Sequence, residues 1–542
     1  MGARYQGGRL AAQAIAAEGV DVAFTLSGGH IMPIYEGCRH EGVRVVDVRH
    51  EQSAAHAAEA WGRVRRACGV ALVTAGPGVT GTVTAVANAL AAQVPLVVVG
   101  GARPLVQAEQ GALQEFDQLS LMKPITKWAG VCAQTARIPE YVALAFRHAL
   151  AQPRGPVYLE LPMDVLFDEA EAEPPPGRSR AVVRSFGDPE AVDRAAALLN
   201  HARRPAVVAG SGVWWDGAAG ELADLAERGE LPVFLNGSGR GSLPPDHACF
   251  FQHARGAALA GADVVCIVGA TLDFRLRYGR FGEATLIHVH GDPRELGRNR
   301  VPDVGITGDC AAVLGALASL VRPPTDGRVS WLEALHAAEQ AWWDEHRHEL
   351  ESDAAPIHHY RLGAELDRVI DEGSVVIGDG GDVVAAVSRV LRVRRPGHWL
   401  DPGPFGCLGV GPGYALGVGT AGFGESIVVV LGDGAFGLNG LDFDTLVRFG
   451  VPGVLVIGND AAWGEIRIPQ IGIYGREGEV ATRLAPSRYE KLCDVFGGHA
   501  EYVERPGELA AALERALASG EPAIVNVMLD PDAMAGHAYR GM

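Results

Sequence analysis

Short apolar runs rich in valine, leucine and isoleucine alternate with alanine-rich segments along most of this chain. Runs such as VAFTL, VRVVDV, GVALVT and PLVVVGG have the length and composition of strands, and each is followed by a segment with helical character. Strands joined through helices run parallel, because the crossover helix returns the chain to the same end of the sheet. The pattern therefore predicts an α/β fold with parallel sheets flanked by helices.

Two breaks in this alternation divide the chain. The first is the acidic and proline-rich stretch EAEAEPPPGRSR, and the second is RPPTDGR. Both have the composition of linkers. Because a single hydrophobic core rarely extends beyond about 250–300 residues, a chain of 542 residues needs several domains. We predict three consecutive α/β domains, each with a central parallel sheet flanked by helices, at residues 1–170, 185–325 and 350–542.

The charge balance and the cysteines exclude several classes of function. The net charge is −18 and no long basic run is present, so we expect no nucleic-acid partner. No apolar run approaches the roughly 20 residues that cross a bilayer, so we expect no membrane partner. The eight cysteines are scattered without a C-x-x-C pair, and the segment up to Gly19 has the pattern of an amphipathic helix rather than an export signal. We expect a cytoplasmic protein with reduced thiols.

The third predicted domain has acidic residues where two apolar runs end. One run ends in GDG, with Asp433 at its centre, and after 24 intervening residues another ends in ND, with Asp460 last. The carboxyl ends of parallel strands share one edge of a sheet, so the two carboxylates are expected to hold a hard cation such as Mg²⁺. The backbone amides of Gly434 and Ala435 could cradle phosphates there. The alternative is two ordinary turns.

The first predicted domain carries a carboxylate and a glycine-rich turn at comparable positions. Glu51 follows the strand-like run VRVVDV directly and begins an alanine-rich segment. A carboxylate at a buried junction is costly unless it has a partner or a function; the alternative is a helix cap. Further on, Gly76, Pro77 and Gly78 follow the run GVALVT and predict either a close approach of backbone to a ligand or a simple tight turn.

Six motifs occur in a fixed order: RHEQSAAHAAEAWGR, TAGPGVTG, PLVVVGG, LQEFDQ, GPFGCLGVGPGYALG, and GDG followed by ND. In this order they resemble the acetolactate synthase-like enzymes that depend on thiamine diphosphate (ThDP), and the resemblance spans nearly the whole chain. It implies an N-terminal pyrimidine-binding domain, a central nucleotide-type domain and a C-terminal diphosphate-binding domain. It also implies an active site between two subunits, so a homodimer is the minimum assembly, and homotetramers are common in the family.

The resemblance assigns roles to individual residues. Glu51 would hydrogen-bond to the aminopyrimidine and promote loss of the proton from the thiazolium ring. The backbone of Gly406 would contact the amino group of the cofactor, and Leu408 would bend the cofactor where many relatives have methionine. Further residues expected at the cofactor are Gly76, Pro77, Gly78, Asp379, Gly380, Gly432, Gly434 and Ala435.

The resemblance also implies a metal site with one departure from the family pattern. Asp433, Asp460 and the backbone carbonyl of Ala462 would ligate Mg²⁺. The family pattern has asparagine where this chain has Asp460. Aspartate is still a suitable ligand for a hard cation, but it adds a negative charge beside the diphosphate of the cofactor.

Three residues bear on which reaction of the family this chain performs. The segment Leu113-Gln114-Glu115 resembles Phe-Gln-Glu of synthases and hydroxyacyl-CoA lyases, and this resemblance implies that Gln114 lies near the reacting carbon; His30 is expected at a strand end facing the cofactor. Glu465, just beyond the metal motif, could act as a general acid and base on the hydroxyl group of a substrate; the alternative is an exposed helix position. We expect a 2-hydroxyacyl-CoA lyase, which forms an aldehyde or ketone and formyl-CoA and also runs in reverse.

Two other functions stay open at this point. One is an acetolactate synthase that condenses two pyruvates with release of CO₂, and the other is a non-catalytic family member. The substrate is thus an acyl-CoA or a 2-oxo acid. The intact Glu51 argues against the non-catalytic alternative, because a degenerate subunit has no chemical need for that carboxylate.

The central domain has a local cluster of Arg275, Arg277 and Arg280. It would suit the phosphates of ADP, of another nucleotide or of coenzyme A; the alternative is a solvated or salt-bridged face. The surrounding stretch TLDFRLRYGRFG differs from the FAD-contacting stretch of acetolactate synthases, which makes FAD the less favoured occupant. His290 stands where relatives often have an acidic residue for the ribose, so nucleotide binding here is expected to be altered or lost.

Overall fold

The computed structural model describes residues 4–171, 184–323 and 326–534. It contains three large sheets in which every strand pair is parallel, and helices cover them. The predicted fold class is therefore confirmed. Most of the predicted first linker, part of the second and the end of the chain lie outside the described residues. In the described part, no helix is long and apolar enough to cross a membrane, and all eight cysteines are buried free thiols.

The N-terminal unit has a six-stranded sheet and a separate antiparallel pair of short strands. Its strands are β1 (Arg4–Gln6), β2 (Val22–Thr25), β3 (Arg44–Asp47), β4 (Gly69–Val73), β5 (Leu96–Ala102), β6 (Trp128–Val131), β7 (Pro156–Pro162) and β8 (Glu169–Glu171). Its helices are α1 (Gly7–Ala17), α2 (Met32–Glu41), α3 (Glu51–Arg65), α4 (Pro77–Thr80), α5 (Val83–Ala91), α6 (Gln118–Met122), α7 (Ile138–Leu150) and α8 (Met163–Phe167). The sheet order is β3-β2-β4-β5-β7-β6, and β1 pairs with β8.

The central unit has a five-stranded sheet. Its strands are β9 (Pro205–Ala209), β10 (Val233–Leu235), β11 (Val264–Val268), β12 (Thr285–His290) and β13 (Val304–Thr307). Its helices, together with those that lead to the next unit, are α9 (Pro189–His201), α10 (Ser211–Trp215), α11 (Ala219–Gly229), α12 (Arg255–Gly261), α13 (Cys310–Leu320), α14 (Asp326–Glu345) and α15 (Arg347–Leu350). The sheet order is β10-β9-β11-β12-β13.

The C-terminal unit again has six parallel strands. They are β14 (Ser374–Asp379), β15 (Trp399–Leu400), β16 (Ser426–Gly432), β17 (Gly453–Asn459), β18 (His499–Val503) and β19 (Ala523–Met528). The helices are α16 (His359–Val369), α17 (Asp382–Val390), α18 (Gly411–Thr420), α19 (Asp433–Asn439), α20 (Phe443–Phe449), α21 (Gly464–Tyr474), α22 (Leu492–Phe496) and α23 (Pro506–Ala518). The sheet order is β15-β14-β16-β17-β19-β18.

The two outer sheets have the same topology. In each, the first strand lies between the second and the third, and the sixth lies between the fourth and the fifth. The chain therefore reverses its direction across the sheet beside the first strand. In open α/β sheets, ligands bind beyond the carboxyl ends of the strands at such a switch point. The two switch points lie between β2 and β4 in the N-terminal unit and between β14 and β16 in the C-terminal unit.

Helices α3 and α18 join the outer units through a very close contact. A Cβ atom placed on Gly417 would overlap the backbone carbonyl of Ala57, and one placed on Gly413 would lie 3.0 Å from Cβ of His56. The two glycines are four residues apart and so share one face of α18. Because neither carries a side chain, the backbone of α18 can lie directly against α3.

A fully buried polar network lies beside this helix contact. Glu59 on α3 accepts hydrogen bonds from Arg63 at 2.5 Å and from Asn88 at 3.3 Å, and Asn88 also bonds to the hydroxyl of Tyr414 on α18. Burial tends to raise the pKa of Glu59, but Arg63 and His56 outweigh it and hold that pKa below its usual range. The network thus keeps a buried carboxylate charged at the junction of two domains.

We predict that Gly417→Ala destabilises the protein although alanine is the better helix former. The added methyl group would push α18 away from α3, and overpacking of this kind costs about 1–3 kcal/mol. The melting temperature should fall by about 2–4 °C for each kcal/mol lost. The matched control is Gly220→Ala on α11, where an added Cβ meets nothing within 4 Å and a gain of up to about 1 kcal/mol is expected. Equal effects of the two substitutions would contradict the packing argument.

Candidate active site

A cavity with a volume of about 810 Å³ lies at the switch point of the C-terminal sheet. A cavity of this size can hold a cofactor. Among the predicted cofactor and metal residues, those that line it are Gly380, Gly406, Leu408, Gly432, Asp433, Gly434, Ala435, Asp460 and Ala462. Glu465 lines it as well. The structure therefore brings together nearly all candidates of the C-terminal unit.

Two carboxylates in this cavity lack a full set of hydrogen bonds. Asp433 and Asp460 are only 1% and 5% exposed. One oxygen of Asp433 accepts from the amide of Gly434 at 2.9 Å, and one oxygen of Asp460 accepts from the amide of Ala462 at 3.1 Å. The second oxygen of each has no partner among the described residues. Buried polar atoms are normally paired, so both oxygens are in place for a ligand.

Two residues that the sequence motifs did not reveal complete this cluster. Ligand atoms of His359, Asp382 and Asp460 all lie within 4.8 Å of one another, and Nε2 of His359 is 3.6 Å from Oδ2 of Asp382. His359 is 1% exposed, and neither ring nitrogen has a hydrogen-bond partner in the described chain. The stretch GDGGD, which places Asp382 directly after the end of β14, was the available signal for Asp382. No local signal identified His359.

The electrostatics of the cluster favour a cation. Burial raises the pKa of Asp433 above its usual range, and Asp382 adds to the shift. Burial also raises the pKa of Asp460, with further contributions from Asp382 and Asp433. Several carboxylates crowded out of water are costly unless a positive charge joins them. The donor set therefore fits a hard divalent cation, and the glycine backbone beside it fits a diphosphate.

Asp379 was predicted to contact the cofactor, but the structure places its side chain elsewhere. It is fully buried and does not line the cavity; its two carboxylate oxygens accept the backbone amides of Gly409 at 2.8 Å and Gly411 at 2.7 Å. It therefore positions the loop that carries Gly406 and Leu408 instead of facing a ligand. Gly406 has a φ of +68°, which favours glycine, and it leaves its backbone accessible at the cavity.

Glu465 lies in the first turn of α21 and is partly buried. It packs against Gly381, where an added Cβ would come within 2.6 Å of Cβ of Glu465. The alternative of a freely exposed helix position is therefore not what the structure has. Glu465 lines the same cavity as Asp382, Asp433 and Asp460, the carboxylates that fit a cation.

The predicted residues of the N-terminal unit form a second group. Glu51 begins α3, and its Oε2 would lie 2.9 Å from a Cβ on Gly81, directly after the turn of Gly76, Pro77 and Gly78. Gly76 has a φ of +56°, and its amide donates to Oε1 of Gln118 at 2.9 Å. The turn is thus anchored to α6 by a hydrogen bond, and Gly81, three residues beyond it, lies close to Glu51 at the start of α3.

His30 and Gln114 belong to this same group through Thr74. Nδ1 of His30 is 3.1 Å from the hydroxyl of Thr74, which in turn donates to Oε1 of Gln114 at 3.2 Å. Burial lowers the pKa of His30, so this side chain is neutral at pH 7. None of the described residues of the N-terminal unit lines the C-terminal cavity. Within one chain the candidates therefore form two separate half-sites.

The switch point of the central unit offers little room for the nucleotide that the sequence suggested there. The cavity at its switch point, lined by Gly210, Gly269 and His290, has a volume of about 80 Å³, whereas ligand pockets usually measure about 300–1,000 Å³. The predicted arginine cluster is also divided. Arg275 and Arg277 line one cavity, but Arg280 points to another, because the backbone turns sharply at Arg277 and Tyr278, both of which have positive φ.

Comparison with known families identifies the class of enzyme to which this fold and these two half-sites belong. Three domains of the thiamine pyrophosphate enzymes match this chain; thiamine pyrophosphate (TPP) is another name for ThDP. The N-terminal TPP binding domain matches residues 5–121, the central domain matches residues 192–317 and the C-terminal TPP binding domain matches residues 379–527. The chain belongs to the thiamine pyrophosphate enzyme family, which confirms the resemblance seen in the motifs.

Its relatives include two kinds of enzyme. The acetolactate synthase large subunit IlvG of Mycobacterium tuberculosis and a probable acetolactate synthase of Mycobacterium bovis are each 43% identical to this chain, and each alignment covers 97% of this chain and 96% of the relative. The 2-hydroxyacyl-CoA lyase 2 of Homo sapiens is 33% identical, over 96% of this chain and 90% of the relative. The prediction of a ThDP-dependent enzyme is confirmed.

We predict that Asp460→Asn raises the stability of the protein without cofactor or cation. A carboxyl group whose pKa is raised by folding destabilises the fold progressively as pH rises above its ordinary value, because its ionised form is the disfavoured one. At pH 8, in the presence of a chelator, the variant should melt at least about 2 °C higher, equivalent to roughly 1 kcal/mol. The gain should shrink toward pH 5, where the carboxyl group is protonated.

The matched control for this measurement is Asp224→Asn, an exposed carboxylate on α11. Its melting temperature should be unchanged within error at either pH, as is usual for surface substitutions. An Asp460→Asn variant that melts at or below the parent temperature across this pH range would show that the neighbouring carboxylates do not repel one another.

Proposed function

We propose that this protein is a 2-hydroxyacyl-CoA lyase that cleaves the bond between the thioester carbon and the hydroxyl-bearing carbon of its substrate. The observation that carries the proposal is the position of Glu465 in the wall of the C-terminal cavity, beside the carboxylates suited to a cation. A carboxylate there can exchange a proton with a substrate hydroxyl group. Condensation of two pyruvates has no evident use for such a group.

Bound ThDP would supply a ring that accepts the electron pair released when the carbon–carbon bond breaks. Asp433 and Asp460 would hold its diphosphate through Mg²⁺, and Leu408 would pack against it. Glu465 would take the proton of the substrate hydroxyl group as the bond breaks, so that this carbon leaves as an aldehyde or ketone. The same proton would then pass to the thioester carbon, which leaves as formyl-CoA.

The N-terminal half-site would act on the other end of the cofactor. Glu51 would hold a proton at the pyrimidine, and its place at the start of α3 fixes its direction. The neutral His30, linked through Thr74 to Gln114, would present a hydrogen-bonding edge toward the reacting atoms. These side chains orient the reacting groups.

A second copy of the chain would join the two half-sites. Several large apolar side chains next to them are more than half exposed: Leu113, Phe116, Phe405, Leu438 and Leu441. Exposed apolar side chains grouped in this way mark protein interfaces. We infer a homodimer at minimum, in which the N-terminal half-site of one copy faces the C-terminal half-site of the other.

Acetolactate synthase is the second candidate function. The two mycobacterial relatives at 43% identity favour it, because they are more similar to this chain than the human lyase at 33%. The two candidates differ in substrate and in product. Pyruvate would give acetolactate and CO₂, whereas a 2-hydroxyacyl-CoA would give formyl-CoA.

We predict that the purified protein with ThDP and Mg²⁺ forms formyl-CoA from a 2-hydroxyacyl-CoA. Glu465→Gln should lower kcat by about 10²-fold or more, as expected for loss of a general acid and base, and should leave the affinity for ThDP unchanged. The product assay by mass spectrometry and a ThDP titration check both statements. Acetolactate from pyruvate, with no formyl-CoA, would assign the chain to the synthases. An unchanged kcat in the variant would remove Glu465 from the mechanism.

We predict that two inactive variants restore activity when they are combined in one dimer. Glu51→Gln removes the proton-holding group of one half-site, and Asp433→Asn weakens the other. A heterodimer purified through two different tags has one doubly altered and one intact site, so its activity should be about half that of the parent dimer. If each site were built from a single chain, the heterodimer would be as inactive as either variant alone.

A further inference from the structure

A second cavity, which we call the arginine pocket, adjoins the active-site cavity. Its volume is about 310 Å³. The arginines that line it come from four separate segments of the chain: Arg240, Arg255, Arg275 with Arg277, and Arg389. Arg240, Arg255, Arg275 and Arg389 also line the active-site cavity, so the two cavities are neighbours that share these side chains.

The lining of the arginine pocket itself carries positive charge without balancing negative charge, since Asp382, Asp401, Asp433, Asp460 and Glu465 line the neighbouring active-site cavity instead. No described carboxylate lines it, although the whole chain has a net charge of −18. Of these five arginines, Arg275 alone has a carboxylate partner among the described residues, Asp273 at 2.6 Å. The side chains of Arg255 and Arg277 make no ion pair, hydrogen bond or ring contact with any described residue.

The remaining two arginines bond to neutral groups. Arg240 donates to the backbone carbonyl of Ser388 at 3.0 Å, and Arg389 donates to the hydroxyl of Tyr360 at 3.2 Å. Burial lowers the pKa of Arg255, and Arg275, Arg277 and Arg389 lower it further. Like charges held together in this way are costly, and an anion between them would remove that cost.

The shape of the pocket indicates the kind of anion. Guanidinium groups bind phosphate oxygens through paired hydrogen bonds. Apolar walls, including Phe250, Phe251 and Trp342, stand beside them. A ligand with phosphates and a long organic part matches both features. A simple inorganic anion would use only the arginines.

Helix α17 connects the pocket to the chemistry. It begins at Asp382, beside Asp460 in the acidic cluster, and Arg389 near its other end lines the arginine pocket. At a rise of 1.5 Å per residue, these two positions are about 10 Å apart along the helix. Phosphates held by Arg389 would therefore lie about 10 Å along α17 from Asp382, whose end of the helix is near Glu465.

We propose that the arginine pocket binds the phosphate groups of the nucleotide end of an acyl-CoA substrate, while the acyl end reaches Glu465. This inference rests on the proposed function, since it names the part of the protein that recognises the carrier of the acyl group. The phosphates of a free nucleotide such as ADP have the same chemistry, and the test separates these two sources.

The test is calorimetric titration of the ThDP- and Mg²⁺-saturated protein with coenzyme A, with ADP and with pantetheine, which lacks phosphates. Coenzyme A should bind and pantetheine should not. Arg255→Gln and Arg389→Gln should each weaken binding of coenzyme A about tenfold or more, the loss expected for one charged hydrogen bond. Raising the salt concentration should weaken binding in the parent protein.

The matched control is Arg280→Gln, which removes an exposed arginine that lies outside the pocket. Its affinity for coenzyme A should equal that of the parent. Melting temperature and ThDP affinity of every variant report whether it has folded, and Arg255→Lys should restore part of the binding if charge is what matters. Affinity within twofold of the parent in both Arg255→Gln and Arg389→Gln would overturn the proposal.

The KM for a 2-hydroxyacyl-CoA separates the two sources of phosphate. A KM raised about tenfold in Arg255→Gln, with ADP as a competitive inhibitor, supports recognition of the substrate. An unchanged KM, with ADP binding lost in the variant, would mean that the pocket holds a resident nucleotide and would overturn the proposal. If the parent binds coenzyme A through Arg255 but cleaves no acyl-CoA, the proposed function fails while the pocket assignment stands.

Discussion

The contact between helices α3 and α18 holds the two outer domains of this enzyme together, and both half-sites depend on it. Glu51 is the first residue of α3, and Gly411 is the first residue of α18. Any shift of one helix against the other would therefore move the carboxylate of one half-site and the loop of Leu408 in the other. Gly413 and Gly417 permit the close approach. The hydrogen bonds from Asn88 to the hydroxyl of Tyr414 and from Arg63 to the backbone carbonyl of Asp401 cross between the two units, and sliding would leave these buried groups unpaired.

The outer domains share one topology but contribute different chemistry at their switch points. In the C-terminal domain, acidic side chains and glycine backbone crowd around the ends of β14, β16 and β17. In the N-terminal domain, the corresponding edge has one glutamate, a neutral histidine and amide side chains. The C-terminal edge thus fits a cation and phosphates, whereas the N-terminal edge carries groups that can exchange a proton. A site that needs both functions has to combine two such edges.

The sequence predicted those parts of the structure that depend on local pattern. Runs of β-branched residues marked strands such as β4, β5, β16 and β17, and the ends of β16 and β17 gave Asp433 and Asp460. The two-residue strand β15 and the edge strand β6 left no such pattern. Asp379 follows the same pattern as Asp433 at a strand end, yet its carboxylate turns toward the amides of Gly409 and Gly411. Which way a side chain turns depends on distant residues, and spacing alone does not give it.

The spacing of residues along the sequence says little about which charged side chains come together in the folded protein. His359 joins the acidic cluster from a helix more than 70 residues before Asp433 in the sequence, and the arginine pocket assembles Arg240, Arg255 and Arg389 from three separate segments. In an acidic chain, a group of arginines without carboxylates stays together only where a ligand or a specific packing arrangement offsets their repulsion. The pocket shares lining residues with the active-site cavity, and α17 runs from one to the other. Selection between a phosphate-bearing substrate and a small 2-oxo acid would therefore take place along this helix, at a distance from the groups that act on the cofactor.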